Sequence, residues 1–168
     1  MAVTALKSLD DSDWRIATPA ELAAANINPQ TGLATDYLNH FNEAVMLLDM
    51  VPDMPDCVQD FMEWRPLSYV EHFTASQFAA RDLAIAAYED TDVDVRAEFD
   101  ALTDMMTAIL VQVGKAMGAV QHDSSRARLA VQATAWLRPL VTQVGGVING
   151  LIDEPDATDI DAIMGASA

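Results

Sequence analysis

Cysteines and cationic side chains are scarce in this 168-residue chain. A single cysteine, Cys57, excludes an internal disulfide and favours a reducing compartment. Nine lysines and arginines against 26 aspartates and glutamates give a net charge of −17. That balance argues against counterion-driven binding of nucleic acids and against anionic membranes. The sequence therefore predicts no nucleic-acid partner and no membrane partner, and a surface whose charge keeps the protein soluble or attracts a basic partner.

The chain also lacks a targeting or membrane-spanning pattern. Residues 1–14 contain one lysine followed by three aspartates, which is unlike the order of a signal peptide. The most apolar run, residues 136–152, contains Arg138 and is shorter than the ~20 residues that a membrane-spanning helix needs. We therefore expect a cytoplasmic protein in which this run is buried in the core.

Helical periodicity is the main structural signal. Apolar side chains recur every three or four residues across residues 36–50, 68–89 and 92–121 and again after residue 125, whereas no stretch alternates with the period of a strand. Two capping boxes, Thr18 with Glu21 and Ser68 with Glu71, mark helix starts. A heptad seam typical of antiparallel bundles is formed by Val95, Phe99, Leu102, Met106, Ile109, Val113, Ala116 and Val120.

The predicted fold class is all-α, an antiparallel helical bundle of about four main helices with short N-terminal and connecting helices. We divide the chain into an N-terminal segment with a short helix (residues 1–34), the bundle (35–152), and an acidic linker with a short amphipathic tail helix (153–168). A homodimer that shares apolar helix faces is a further expectation. The last bundle helix is predicted to bury Leu129, Ala133, Trp136, Leu140, Val144, Val147 and Leu151.

Four side chains form a candidate metal site. His40 and Glu43 are three residues apart on one predicted helix, and Glu71 and His72 are adjacent on another. The Glu-x-x-His pattern of di-iron bundles is absent, however, and Glu71 is already explained by its capping box. His40 lies at the edge of an apolar stripe, where a half-buried histidine is ordinary. A metal-binding or phosphotransfer bundle that uses these four residues is therefore the alternative hypothesis.

No other catalytic pattern stands out. Cys57 has carboxylates and no histidine beside it in sequence, which favours an inert thiol. Phosphotransfer domains usually surround their histidine with a lysine and a glycine, and none of the three histidines has such neighbours. Neither common glycine-rich phosphate loop is present. The sequence favours a protein that is not an enzyme, with no catalytic residues and no cofactor.

The C-terminal tail carries one resemblance. Its sequence Thr-Asp-Ile-Asp-Ala-Ile-Met-Gly, residues 158–165, resembles the peptide with which flagellar motor switch proteins bind the chemotaxis response regulator, CheY. The similarity is strongest at Ile160, Asp161, Ala162, Ile163 and Met164, whereas the Ser-Gln that opens that peptide is missing. The layout, a helical body followed by a linker and a C-terminal helix, is similar to that of the chemotaxis phosphatase CheZ. The Asp-x-x-x-Gln motif of that phosphatase is absent, so the resemblance implies regulator binding without phosphatase activity.

The tail can dock by an ordinary physical mechanism. Thr158 can cap a short helix, and Asp161 at the third helical position completes the capping box. Ile160, Ile163 and Met164 then form an apolar stripe, the pattern of a helix that binds in a groove. The alternatives are a disordered tail and a helix packed back on its own bundle. The leading hypothesis is a non-enzymatic adaptor or regulator that binds another protein, in its most specific form a receiver domain recognised through Ile160, Asp161, Ile163 and Met164.

Overall fold

The computed structural model describes residues 17–150, which fold into seven α-helices joined by short connections. No strand is present within that range, where a single antiparallel bridge pairs Ile27 with Ala34. The all-α prediction is confirmed. The helices are α1 (Pro19–Ala24), α2 (Tyr37–Met50), α3 (Cys57–Glu63), α4 (Tyr69–Ala75), α5 (Arg81–Glu89), α6 (Val93–Ala119) and α7 (Asp123–Ile148).

The two longest helices, α6 and α7, pack against each other along their length as a hairpin. Of the predicted heptad seam, Phe99, Met106 and Val113 are buried on the inner side of α6, whereas its other members are only partly buried. The remaining buried positions of α6 lie one residue further along, at Thr103, Leu110 and Met117. Apolar residues at heptad spacing therefore pack as expected for neighbouring antiparallel helices. The closed end is held by Arg126, whose guanidinium donates hydrogen bonds to the carbonyls of Met117 and Val120 at the end of α6.

The third long helix, α2, packs on α7 and also contacts α3 and α4. Its buried side chains recur at helical spacing and are Tyr37, His40, Phe41, Ala44, Val45 and Leu48. On the surface, the carboxylate of Asp49 accepts a hydrogen bond from the guanidinium of Arg138 on α7. The core is therefore built on three long helices, and short helices complete it.

The predicted helix over residues 68–89 is two helices in the structure. The predicted capping box of Ser68 and Glu71 starts α4 as expected, but the helix ends at Ala75. The hydroxyl of Ser76 then accepts a hydrogen bond from the backbone N–H of Phe78, a local turn that competes with the helical bond. The ring of Phe78 folds back to 5.8 Å from that of Phe73, and this burial favours the break.

The buried face of α7 also differs from the predicted face. Ala133, Val144 and Val147 are buried as expected, whereas the equally buried Ala130, Leu137 and Ile148 lie outside the predicted face. Trp136, in contrast, is 53% exposed. A helix that packs against two neighbours buries the side chains that face either of them. Trp136 lies outside this buried side of α7 and stays exposed. No helix between residues 17 and 150 is long and apolar enough to cross a membrane.

The described part of the N-terminal segment packs into the core. Leu22, Ile27 and Leu33 are buried, and the predicted capping box of Thr18 and Glu21 starts α1. The hydroxyl of Thr31 donates a 2.6 Å hydrogen bond to the carbonyl of Ile148, at the end of α7. This contact satisfies one of the carbonyls that a helix end leaves without an intrahelical partner, so residues 17–34 stabilise the C-terminal end of α7.

Candidate functional site

His40 and His72 are brought together by the packing of α2 on α4. Their ring centroids are 5.9 Å apart, and the ring of Tyr37 lies 5.4 Å from that of His72. The Nε2 atom of His72 is 3.1 Å from Oδ2 of Asp36, the residue that precedes α2. We call Asp36, Tyr37, His40, Trp64 and His72 the histidine cluster. Of these five residues, His40 and His72 were predicted from the sequence as candidate metal ligands.

Hydrogen bonds engage His40 on both its ring and its backbone. Its Nε2 accepts a hydrogen bond from the backbone N–H of Leu67 at 3.2 Å. The Trp64 ring stacks on the imidazole at 4.7 Å, and Trp64 Nε1 donates to the His40 carbonyl. One turn earlier on α2, the Tyr37 hydroxyl donates to the Leu67 carbonyl at 2.6 Å. Both polar backbone groups of Leu67 are thus bound by α2, which fastens the connection between α3 and α4.

Burial keeps His40 neutral. The side chain is 8% exposed, and burial, with a smaller contribution from the nearby His72, lowers the pKa of His40 to about 4. A neutral imidazole that accepts at Nε2 carries its proton on Nδ1. This ring acts as a fixed hydrogen-bond acceptor, which is a structural role.

The two glutamates of the predicted metal site lie apart from that arrangement. Glu43 is exposed on α2, and Glu71 accepts the backbone N–H of Ser68 in the capping box. Among residues 17–150, no three histidine, cysteine, aspartate or glutamate side chains are grouped so that they could hold a metal ion. The structure brings together His40 and His72 only, and the metal site of four residues stays a prediction that the geometry does not favour.

The remaining reactive side chains of the core are also engaged or buried. Cys57 is a buried free thiol. The Tyr69 hydroxyl accepts from the backbone N–H of Ala34, and the Tyr88 hydroxyl donates to Asp100 at 2.7 Å. Burial is the main cause that raises the pKa of both tyrosines above the usual range. These hydroxyls stay protonated and hold the fold together, so they do not act as nucleophiles.

A different kind of surface lies on the outside of α7. Val131 is 58% exposed and Trp136 is 53% exposed, although both are large apolar side chains on a core helix. An open depression of about 440 Å³ lies beside Val131, lined by Ala127, Arg128, Gln132 and Ala135. We call the exposed residues of this surface the α7 face, and they are Arg128, Val131, Gln132, Ala135, Trp136 and Pro139.

The α7 face lies in a region whose charge is opposite to that of the rest of the protein. Residues 105–150 contain four lysines and arginines and one carboxylate, that of Asp123. Residues 17–104 contain three arginines and seventeen carboxylates. The C-terminal half of α6 and the whole of α7 are therefore a basic region on a strongly acidic protein.

Two cations of this basic region are unpaired. Within the described range, Arg128 and Lys115 form no hydrogen bond, ion pair or ring contact. The two other cations there are used in the fold, because Arg126 binds the end of α6 and Arg138 binds Asp49. Arg128 is therefore free to bind a negative group from outside residues 17–150.

Reasoning from the sequence missed the α7 face. It assigned Trp136 to the core and considered the net charge of the whole chain. One signal was available, since the run from residue 105 to 152 contains a single carboxylate and can be read from the sequence. The partner-binding residues that the sequence did predict lie outside the described residues, and they are Ile160, Asp161, Ile163 and Met164.

Comparison with known proteins finds no match: no protein-family model, no curated protein and no solved structure is significantly similar to this chain.

Proposed function

We propose that this chain is a non-enzymatic adaptor or regulator that binds another protein, and that the α7 face is the binding surface of its helical body. The observation that carries the proposal is the exposure of Val131 and Trp136 beside Arg128, which has no partner within residues 17–150. Exposed apolar side chains that cluster with an arginine are typical of protein-binding surfaces. A cytoplasmic location, expected for a chain with one cysteine, is part of the proposal.

The chemistry of the face specifies the kind of partner. Val131, which lines the shallow depression, and Trp136, exposed on the same helix, offer apolar contacts that suit the apolar stripe of an amphipathic helix. Arg128, which also lines the depression, favours carboxylates next to that stripe, and no carboxylate on α7 beyond Asp123 would repel them. The partner we propose for the face is an acidic amphipathic helix of another protein.

The tail is the second binding element of the proposal. Its resemblance to the peptide that binds CheY supports a receiver domain of bacterial signalling or motility as its partner. Ile160, Ile163 and Met164 would enter the groove of that domain, and Asp161 would complete the helix cap.

Photo-crosslinking tests the α7 face directly. A photoreactive amino acid at Ala135 lies within the face, and the same group at Gln59, exposed on α3, serves as the control position. We expect a crosslinked partner at Ala135 and not at Gln59, identified by mass spectrometry of cells that express the full chain. Equal crosslinking at both positions would contradict the proposal.

The affinity of the partner so identified gives a quantitative test. Val131→Asp and Arg128→Glu should each weaken binding by roughly tenfold or more, since central apolar and arginine contacts dominate such interfaces. The matched control is Met46→Asp on α2, because Met46 is 56% exposed and Val131 is 58% exposed. Unchanged affinity of the Val131→Asp variant, measured by calorimetry, would remove the face from the proposal.

Peptide titration tests the tail by itself. A labelled peptide of residues 153–168 is titrated into receiver domains, with and without phosphorylation, and binding is followed by fluorescence anisotropy. We expect binding to at least one receiver domain and its loss in the Ile163→Asp peptide. Lack of binding by every receiver domain tested would remove the tail from the proposal.

The alternative hypothesis, a metal-binding or phosphotransfer bundle, has little geometric support. The distance between His40 and His72 favours it, whereas the bonds of His40 Nε2 and Glu71 oppose it. Metal analysis of protein purified without a histidine tag separates the two hypotheses. Near-stoichiometric metal that is lost in the His72→Ala variant would favour the alternative over the adaptor.

A further inference from the structure

We propose that the chain's own C-terminal segment, residues 151–168, binds the α7 face and covers it until a partner displaces it. The inference rests on the proposed role of the α7 face as a binding surface. It assigns the C-terminal segment as the ligand of that surface before a partner binds. In this arrangement the α7 face and the C-terminal segment each block the other from external partners.

Charge complementarity favours this occupant. The C-terminal segment contains five carboxylates and no cation, and they are Asp153, Glu154, Asp156, Asp159 and Asp161. The rest of the chain offers these carboxylates one basic region, that of residues 105–150, where Arg128 and Lys115 are unpaired within the described range. Elsewhere among residues 17–104, carboxylates outnumber cations by seventeen to three and would repel the segment.

Apolar complementarity points to the same surface. The sequence places Ile160, Ile163 and Met164 on one side of a predicted helix. The α7 face provides two exposed apolar side chains, Val131 and Trp136, and Val131 lines an open depression of about 440 Å³. Removing large apolar side chains from water is favourable, so both elements gain from the contact.

The length of the chain allows the contact. Ile148 ends α7, and twelve residues of helix separate it from Trp136, which is about 18 Å at ~1.5 Å per residue. Val131 lies five residues further along the helix, about 26 Å from Ile148. The nine residues 151–159 span up to about 30 Å when extended, so Ile160 can reach either side chain.

The end of α7 turns the chain away from the helix axis. Gly150 has φ +74°, a left-handed conformation that glycine adopts without strain, and its N–H bonds to the carbonyl of Val147. Gly150 therefore ends α7 in a turn. A short link also gives the segment a local concentration near the millimolar range, which favours its own α7 face over that of a second copy.

Fluorine NMR of the full chain tests the inference. Fluorotryptophan gives signals for the three tryptophans, and Trp136→Phe assigns one of them. A nitroxide is attached through Ala166→Cys, because Cys57 is buried and protected from the label. We expect the nitroxide to broaden the Trp136 signal more strongly than that of Trp64, which lies on the connection after α3.

A matched pair of tail variants makes the result specific. Ile163→Asp adds a charge within the predicted apolar stripe, and Ala162→Asp adds the same charge on the opposite side. We expect the broadening of Trp136 to disappear in the first variant and to remain in the second. The inference would be overturned if the unmodified tail did not broaden the Trp136 signal, or if both tail variants broadened it equally.

Mixing experiments separate the possible occupants. Spin-labelled chain without fluorine is mixed with fluorinated chain without label, and we expect no broadening of Trp136. Broadening of the Trp136 signal in this mixture would show that the tail of a second copy binds the face. That result would overturn the intramolecular proposal.

A peptide experiment keeps this inference distinct from the proposed function. The peptide of residues 153–168 is added to the Ile163→Asp chain, and we expect it to shift the Trp136 signal. If the peptide shifts that signal while the attached tail does not broaden it, the face binds acidic helices but the chain's own tail is not its occupant. If neither occurs, this inference fails, and the crosslinking at Ala135 decides the proposed function by itself.

Discussion

The histidine cluster and the α7 face differ in how their polar groups are satisfied. His40, Tyr37 and Trp64 all bind backbone groups of the fold, and within residues 17–150 no buried side-chain nitrogen or oxygen lacks a partner. Arg128 on the α7 face makes no such bond in the same range. The histidine and its aromatic neighbours are thus used to hold the fold together, whereas Arg128 has no hydrogen-bond partner in that range. In this protein, a side chain without a partner indicates a binding surface better than the residue type does.

The largest expected effect contrasts two aromatic residues. Phe99 is fully buried between the rings of Tyr37, Tyr69 and Tyr88, so Phe99→Ala should lower the free energy of unfolding by about 3–5 kcal/mol. Trp136→Ala removes a larger side chain that is 53% exposed, and should cost less than about 1 kcal/mol. Denaturant unfolding measures both, and equal losses would contradict the placement of Trp136 outside the core.

The second effect is the pH dependence of the histidine cluster. The unfolded chain protonates His40 below pH 6.5, whereas the folded state, with a pKa of about 4, does not until the pH approaches 4. The unfolded state therefore binds more protons in this window, and stability falls as the pH decreases through it. The loss expected from His40 is on the order of 3 kcal/mol at about 1.4 kcal/mol per pKa unit.

The control for that effect is His40→Gln, which offers an amide oxygen to the N–H of Leu67 and has no proton to gain. Denaturant unfolding of both proteins between pH 4 and 7 should show a shallower slope for the variant. A slope that is the same in both proteins would mean that His40 is not held neutral by the fold.

The third effect isolates one buried hydrogen bond. Tyr69→Phe removes the hydroxyl that accepts the N–H of Ala34, and leaves a buried donor unpaired. We expect a loss of about 1–3 kcal/mol in unfolding free energy. Tyr88→Phe removes a part-buried bond to Asp100 and should cost less, so the order of the two losses tests whether the N-terminal segment depends on Tyr69.

The smallest effect compares two arginines of α7. Arg138 binds Asp49, but the side chains are 61% and 40% exposed, so Arg138→Gln should cost about 0.5 kcal/mol and less at high salt. In the Ile163→Asp chain, whose tail is expected to leave the α7 face, Arg128→Gln should leave stability unchanged, since Arg128 has no partner among residues 17–150. Thermal unfolding in low and high salt measures both, and a salt-sensitive loss at Arg128 would reveal a partner.

The helical class, two helix starts and part of one packing seam could be predicted from the amino-acid pattern. Apolar spacing predicted the all-α class and part of the seam of α6, and the capping residues predicted the starts of α1 and α4, because these features depend on residues within a few turns of each other. The sequence also placed His40 and His72 among the candidate residues, since residue types are local information.

The roles of those residues follow from contacts between distant parts of the chain. The break between α4 and α5 depends on the packing of Phe78 on Phe73, and the exposure of Trp136 depends on which side of α7 the neighbouring helices occupy. His40 became a structural acceptor because Leu67, 27 residues later in the chain, donates to it. Such contacts join distant parts of the chain, so no local pattern specifies them.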